Sequence, residues 1–161
     1  MSFHIRKGEL KDAESIHNLI VELAVFEKEP DAVEVSVKDL ESDGFSKDPR
    51  FNTFVAEQED GTIIGMALFY ERYSTWKGKA IHLEDLMVTQ EKRGIGAGKA
   101  LYSAVLKYAY ENGYKRVAWE VLDWNTSAIT FYENSGANVL RDWNVAQMNE
   151  QNLEKFINEN F

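Results

Sequence analysis

A glycine-rich hexapeptide, "RGIGAG" at residues 93–98, most constrains how this chain can fold. It follows the apolar run "IHLEDLMV" and precedes "KALYSAVLKYAY", in which apolar residues recur at helical spacing. Glycine costs about 1 kcal/mol more than alanine in a helix, so three glycines at this junction need a reason. The sequence predicts a strand, a tight turn and a helix here, with backbone that another group approaches closely.

The rest of the chain alternates between strand and helix patterns. Its first half predicts a strand at "FHIR", a helix from the N-cap Asp12 to before Pro30, a helix capped by Ser36, and the strands "TFVAEQ" and "TIIGMALFYER". After the glycines, the pattern predicts a helix closed by Gly113, a strand "KRVAWEVL", a helix ending at Gly136, a strand "NVAQM" and a helix "EQNLEKFINEN". This order indicates one α/β domain over residues 1–161.

Composition excludes several kinds of site. The chain has 161 residues, 44% hydrophobic, and no cysteine, so disulfides, zinc–thiolate sites and thiol nucleophiles are excluded. Its net charge of −9, without a basic cluster, argues against nucleic acid as a partner. There is no apolar run of membrane-spanning length and no secretory signal pattern, so we expect a cytoplasmic protein with no membrane partner. The histidines show no ligand spacing, and we expect no metal.

The glycine turn fails two familiar phosphate-loop patterns. A P-loop needs lysine followed by serine or threonine, but Lys99 is followed by Ala100. A dinucleotide fingerprint needs a third glycine where Lys99 stands. A glycine turn that opens a helix still suits a pyrophosphate, because backbone N–H groups and the positive helix end face the ligand. A glycine-rich turn with no ligand is the alternative.

The pattern Arg93-x-x-Gly96-x-Gly98, after a strand ending "DLMV", resembles the acetyl-CoA pyrophosphate signature of the GNAT superfamily of N-acetyltransferases. The blocks "HLEDLMV", "VLDWN" and "FYENSGA" are similar to the subgroup of diamine (spermidine/spermine) and thialysine acetyltransferases. The resemblance covers nearly the whole chain. It implies an α/β fold with a mixed, twisted central sheet flanked by helices, usually as a homodimer.

The resemblance also implies where acetyl-CoA, the co-substrate, would bind. The backbone of the last strand residues before the turn would pair with the pantetheine arm, and the N–H groups of the turn would meet the pyrophosphate. Asn125 either contacts the cofactor or only caps its helix. The cofactor-binding residues implied are Leu86, Met87, Val88, Arg93, Gly94, Ile95, Gly96, Ala97, Gly98, Lys99, Asn125 and Ala128.

Two residues have catalytic roles in the resemblance. Tyr132, in "FY", would protonate the departing thiolate of CoA, although a helix aromatic packed in the core is the alternative. Glu84 would take a proton from the substrate ammonium through water, or would only attract the cation. Strand alternation places Glu84 with His82 and Leu86, and Asp85 with Leu83 and Met87, although relatives have a bulge here.

The choice of amine rests on a further set of positions. Ser74 stands where diamine acetyltransferases carry an aspartate, and "LRDWN" keeps only Asp142 of an acidic pair, so a lysine-like or thialysine-like amine is favoured. Trp76 offers an aromatic wall to a cation or packs in an interface. The substrate-binding residues implied are Glu27, Ser74, Trp76, Glu84, Asp85, Trp119, Glu120 and Trp143.

We therefore expect an acetyl-CoA-dependent N-acetyltransferase that acts on a small primary amine by direct attack in a ternary complex. A covalent enzyme intermediate is not expected, since no cysteine is present. A polyamine acetyltransferase, an enzyme that acetylates protein lysines or N-termini, and a CoA-binding sensor without turnover are the alternatives.

Overall fold

The computed structural model describes residues 2–161, which divide into two compact units. The first unit extends to Glu120, and the second comprises Val121–Phe161. A single domain over the whole chain stays a prediction.

The first unit is built on a five-stranded mixed sheet in which each strand lies beside the next along the chain. The first three pairs of neighbours are antiparallel and the last pair is parallel. The strands are β1 (Phe3–Lys7), β2 (Asn52–Gln58), β3 (Ile63–Ser74), β4 (Gly78–Val88) and β5 (Val117–Ala118).

The helices of the first unit are α1 (Ala13–Phe26), α2 (Val37–Gly44) and α3 (Ala97–Glu111). Short 3-10 turns precede α1 at Leu10–Asp12 and α3 at Gln90–Lys92. The Ser36 side chain accepts a hydrogen bond from the N–H of Asp39 and so caps α2. Gly113, with φ +74°, follows α3 as predicted.

The two faces of the sheet pack against different helices. On one face, a buried cluster joins α1 and α2 to the three longest strands. Its buried members are Ile16, Leu19, Leu40, Val55, Met66, Leu68 and Met87. On the other face, Phe69 stacks on Phe54 and lies edge-on to Tyr108 of α3, with ring centroids 5.3 and 5.1 Å apart. The apolar faces of α1 and α2 thus cover one side of the sheet, and the apolar face of α3 covers the other.

Two sequence predictions in the first unit are wrong in part. The strand predicted over "KRVAWEVL" is reduced to Val117–Ala118, because the parallel pairing stops at His82, just before a bulge in β4. Asp12 precedes α1 but its side chain does not cap that helix. It instead accepts hydrogen bonds from Arg6, at 2.7 and 2.9 Å, and from the N–H of Glu9.

The second unit contains α4 (Thr126–Asn134) and α5 (Glu150–Asn160). The predicted strand "NVAQM" is not formed: residues 144–148 pair with no strand in the described part of the chain. Val145 and Met148 remain about 60% exposed, at 62% and 59%, so no burial of apolar surface favours a strand there. No helix within residues 2–161 is long and apolar enough to span a membrane.

Candidate active site

The glycine turn has the backbone conformation that its composition predicts. Gly94 and Gly96 have φ angles of +84° and +90°, in the left-handed region that side chains other than glycine seldom adopt. Gly96 is the N-cap residue of α3, and the Ala100 N–H donates to its carbonyl. Two of the three glycines are therefore explained by the shape of the turn itself.

Gly98 has no such local explanation. It lies in the first turn of α3 without a positive φ, and a Cβ atom there would meet only the Cγ2 of Val88, at an ordinary 3.7 Å. The first turn of α3 has no acidic residue and no side-chain cap. Glycine at this position leaves the N–H groups at the start of α3 open to close approach by a ligand, which fits a pyrophosphate.

The Arg93 side chain folds back against the protein. Its Nε donates to the Val88 carbonyl at 3.1 Å, and its guanidinium lies 3.7 Å from the Met87 sulfur. The same guanidinium lies 4.9 Å from the ring centroid of Phe26, the last residue of α1. Arg93 thus ties the turn to β4 and α1, while Ile95 and Lys99 remain exposed.

Strand β4 carries a bulge at Glu84. Leu68 of β3 lies opposite Asp85, but the next residue, Phe69, lies opposite Leu83. No residue of β3 therefore lies directly opposite Glu84 in the strand pairing. Strict alternation would place Asp85 on the face of Leu83, and the bulge expected from relatives breaks that alternation here. Asp85 lies instead on the face of Leu68, because the extra residue reverses the parity.

The Glu84 carboxylate has two neighbours, Tyr70 and His82, on the face of the sheet that carries Leu68. The hydroxyl of Tyr70 donates to its Oε2 at 2.8 Å, and the Nε2 of His82 lies 3.3 Å from the same oxygen. The Glu84 side chain remains half exposed, at 50%. Burial, and then the hydrogen bond to Glu84, raise the pKa of Tyr70 to about 12. Tyr70 therefore stays a hydrogen-bond donor throughout the neutral range.

Asp85 is a half-buried carboxylic acid without a hydrogen-bond donor among the described residues. Burial, followed by the nearby charges of Glu84 and Glu27, raises its pKa to about 6. Glu27 lies at the end of α1; partial withdrawal of its carboxyl group from water raises its pKa, although the residue as a whole is exposed. The bulge and the end of α1 thus bring these acids together, an environment that attracts an ammonium group.

One edge of β4 is open beyond His82. The pairing of β4 with β5 covers only Ile81 and His82, so residues 83–88 have no strand on that side within the described sheet. The predicted pantetheine-binding residues Leu86, Met87 and Val88 lie in this stretch. An unpaired strand edge offers backbone groups to an extended ligand.

Ser74 lies apart from the bulge. It ends β3 and pairs with Gly78, six residues beyond Leu68, which is about 20 Å along an extended strand. Its Oγ accepts the N–H groups of Trp76 and Lys77, at 3.2 and 3.1 Å, and a bond of 3.3 Å from Arg116. Ser74 therefore caps the β3–β4 turn, and Trp76 is 78% exposed beside it.

Trp119 and Glu120 close the first unit. The Trp119 ring lies edge-on to Tyr102 of α3, with centroids 5.5 Å apart, and Glu120 is exposed. The negative charge of Glu120 acts on Tyr70, the residue that donates to Glu84.

The second unit holds the remaining predicted residues. Tyr132 is buried in α4, and the Ser135 hydroxyl donates to its carbonyl at 2.6 Å. The Asn125 side chain accepts the N–H of Ala128 and caps α4, as predicted. Trp143 is 68% exposed.

Tyr70 and His82 were not predicted as site residues, although strand alternation places His82 on the face of Glu84, where it lies. Their signal is the β3–β4 turn at "STWKG": counting outwards from the Ser74–Gly78 pair places Tyr70 opposite His82. A hairpin register followed back from that turn would have found both.

Comparison with known proteins gives a consistent result. A model of the Acetyltransferase (GNAT) family matches residues 13–137. The chain is 37% identical over 145 residues to Thialysine N-epsilon-acetyltransferase of Bos taurus, covering 86% of this chain and 85% of that protein. It is 34% identical over 160 residues to Spermidine/spermine N(1)-acetyltransferase-like protein 1 of Homo sapiens, covering 94% of this chain but 23% of that protein.

Solved structures share the fold. An integron cassette protein from the mobile metagenome of V. cholerae, VCH_CASS6, has a TM-score of 0.79 and 22% identity, with 98% of each chain covered. The ribosomal-protein-alanine N-acetyltransferase of Brucella melitensis biovar Abortus 2308 has a TM-score of 0.69 and 20% identity, covering 92% of this chain and 99% of that one. The predicted fold class is confirmed. This chain belongs to the GNAT family of acetyltransferases and is an N-acetyltransferase.

Proposed function

We propose that this protein transfers the acetyl group of acetyl-CoA to a small primary amine resembling lysine or thialysine, by direct attack in a ternary complex. The observation that carries the acetyl-CoA half is Gly98, a glycine that neither a positive φ nor a steric clash requires. The similarity to thialysine acetyltransferases over most of both chains supports the choice of amine. Ser74, where the resembling diamine enzymes carry aspartate, supports the same choice.

The residues around the turn fit an acetyl-CoA ligand. Backbone N–H groups from Gly94 to Lys99 would bind the pyrophosphate. The edge of β4 from Leu86 to Val88 would bind the pantetheine arm through the backbone groups that remain, since the Val88 carbonyl already accepts from the Arg93 Nε. Acetyl-CoA, when bound, supplies an acetyl group activated as a thioester. An N–H group of Leu86–Val88 would polarise the acetyl carbonyl. Asn125 and Ala128 would contribute further contacts at the start of α4.

The acidic residues at the bulge would receive the amine. Glu84, Asp85 and Glu27 place negative charge where an ammonium group would bind. An amine of pKa about 10 is almost fully protonated at neutral pH, and only its free base attacks. Glu84 would accept that proton through water.

Tyr132 would act as the general acid. A phenol that donates a proton to the departing sulfur makes collapse of the tetrahedral state easier. By the resemblance, Trp119, Glu120 and Trp143 would also contact the amine. Trp76 lies beside Ser74, about 20 Å along the hairpin from Asp85, and is not part of this subsite. The homodimer remains a prediction from the resemblance, and the mass of the protein in solution tests it.

The test is thiol release from acetyl-CoA with a panel of amines: thialysine, lysine, putrescine, spermidine and a histone-like peptide. Turnover confined to thialysine and lysine would support the proposal. Preference for spermidine would replace the substrate class with polyamines, and preference for the peptide would replace it with protein lysines. Tight CoA binding without thiol release would instead identify a sensor.

A further inference from the structure

Tyr70, His82 and Glu84 form a contact network on one face of the β3–β4 hairpin. Tyr70 and His82 are directly opposed across the two strands, and their rings lie 5.3 Å apart. The bulge then turns Glu84 back towards both, so that its Oε2 lies 2.8 Å from the Tyr70 hydroxyl and 3.3 Å from the His82 Nε2. Neither contact involves Oε1.

Both neighbours are suited to donate to the carboxylate. Tyr70 keeps its proton at neutral pH, as described above. The His82 ring is buried, and its Nδ1 has no hydrogen-bond partner within the described residues. A proton on Nδ1 would therefore be an unsatisfied buried donor, which costs more than leaving a lone pair unused. The neutral tautomer with its proton on Nε2, directed at Glu84, is favoured.

We propose that Tyr70 and His82 are positioning residues that hold Oε2 of Glu84 and so leave Oε1 to take the proton of the substrate amine. The proton passes from the ammonium group to Oε1, directly or through one water, and the electron pair stays on nitrogen for attack. This inference rests on the proposed function. A carboxylate held by two donors at one oxygen loses less rotational freedom when the amine arrives, which is the source of its effect on rate.

The hairpin supplies a matched control. The Tyr114 hydroxyl donates to the Glu71 Oε2 at 2.8 Å, the same distance as between Tyr70 and Glu84, and Glu71 is the neighbour of Tyr70 in β3. Tyr114→Phe therefore removes a bond of the same type from the same strand, away from the bulge. We expect it to leave turnover unchanged.

The experiment measures kcat and KM with thialysine and acetyl-CoA for the wild type, for five single variants that include the control Tyr114→Phe, and for the double variant Tyr70→Phe/Glu84→Gln. We expect Tyr70→Phe to lower kcat about tenfold, the value of one hydrogen bond to a charged group, with the KM for acetyl-CoA unchanged. His82→Gln, which retains an amide donor, should lose less activity than His82→Leu. Glu84→Gln, alone and together with Tyr70→Phe, completes a double-mutant cycle.

The cycle separates positioning from general damage. If Tyr70 acts through Glu84, Tyr70→Phe should cost less than about twofold when Glu84 is already Gln. Equal costs in both backgrounds, or a kcat for Tyr70→Phe within twofold of wild type, would overturn the positioning role. If the wild type still transfers acetyl groups in the same assay, either of these outcomes overturns only the positioning role and not the proposed function. Absence of wild-type turnover with every amine would overturn both.

Discussion

A methyl group added to Gly98 would meet only the Cγ2 of Val88, 3.7 Å away, in ordinary van der Waals contact. Since α3 loses stability by having glycine there, Gly98→Ala should raise the free energy of unfolding of the free protein by about 0.5–1 kcal/mol. The same methyl group would obstruct a pyrophosphate at the start of α3. We therefore expect the Kd for CoA to rise about tenfold, a loss of about 1.4 kcal/mol. Urea unfolding and titration calorimetry measure the two effects.

Gly113→Ala is the control for this variant. Gly113 has φ +74° and open space around it, so alanine there should lower stability by about 1 kcal/mol through backbone strain alone. CoA affinity should not change. If Gly98→Ala stabilises the protein and binds CoA as tightly as wild type, no ligand approaches Gly98.

Replacing Tyr132 by Phe tests the general acid. The change keeps the buried ring and removes only the hydroxyl, so kcat should fall about a hundredfold while CoA binding is retained. Stopped-flow thiol release and calorimetry measure these two quantities. Tyr110→Phe, at a tyrosine that is 86% exposed on α3, should leave both unchanged. A kcat for Tyr132→Phe equal to that of the wild type would remove Tyr132 from the chemistry.

Asp85 should make the protein less stable at neutral pH than in mild acid. Its pKa in the folded state is raised to about 6 from the ordinary 3.8. Between about pH 4 and pH 6 the folded state therefore binds a proton that the unfolded state has lost. The contribution to stability therefore falls as pH rises from about 4 to 6, and the cost is complete above 6.

Asp85→Asn should remove this cost. We expect it to raise the free energy of unfolding by up to about 3 kcal/mol at pH 8, with the gain disappearing near pH 4. Urea unfolding of both proteins at the two pH values measures the difference, in which the titrations of groups that do not interact with Asp85 cancel. A gain that is the same at pH 4 and pH 8 would contradict the burial of an ionised Asp85.

The Arg6–Asp12 pair should give the opposite pH dependence. Burial alone would raise the pKa of Asp12, but hydrogen bonds from Arg6 and from the Glu9 N–H, with the charge of Arg6, lower it. Its stabilisation is present above the ordinary pKa and is lost as pH falls through the lowered value.

Asp12→Asn should therefore cost about 3 kcal/mol at pH 7, because the buried carboxylate loses its charge beside Arg6. The cost should shrink only as the pH falls below the ordinary pKa of 3.8 and through the lowered value, where the wild type takes up the proton. Urea unfolding at pH 7 and over a series of pH values below 3.8 measures it, and the exposed Asp31→Asn serves as control. A cost independent of pH would mean that hydrogen bonding alone, without charge, stabilises the turn.

Much of the fold could be predicted because its signals are local. Three features all depend on residues within a few positions of one another: the Ser36 cap, the glycine turn before α3, and Gly113 just after the end of α3. The tail strand "NVAQM" failed for the complementary reason. A strand needs a partner, and alternation within five residues does not provide one.

The site shows the same division. Local sequence is enough to show which residues form a turn that opens a helix, since left-handed glycines and helix propensity act over one or two turns of chain. The resemblance implies a bulge in β4, but its position at Glu84 and the contact of Glu84 with Tyr70, fourteen residues away along the chain, come from the three-dimensional structure. The tertiary structure also decided that Arg93 packs on Phe26. Register between strands and contacts between distant elements are chosen by the packing of the whole core, which no short stretch of sequence contains.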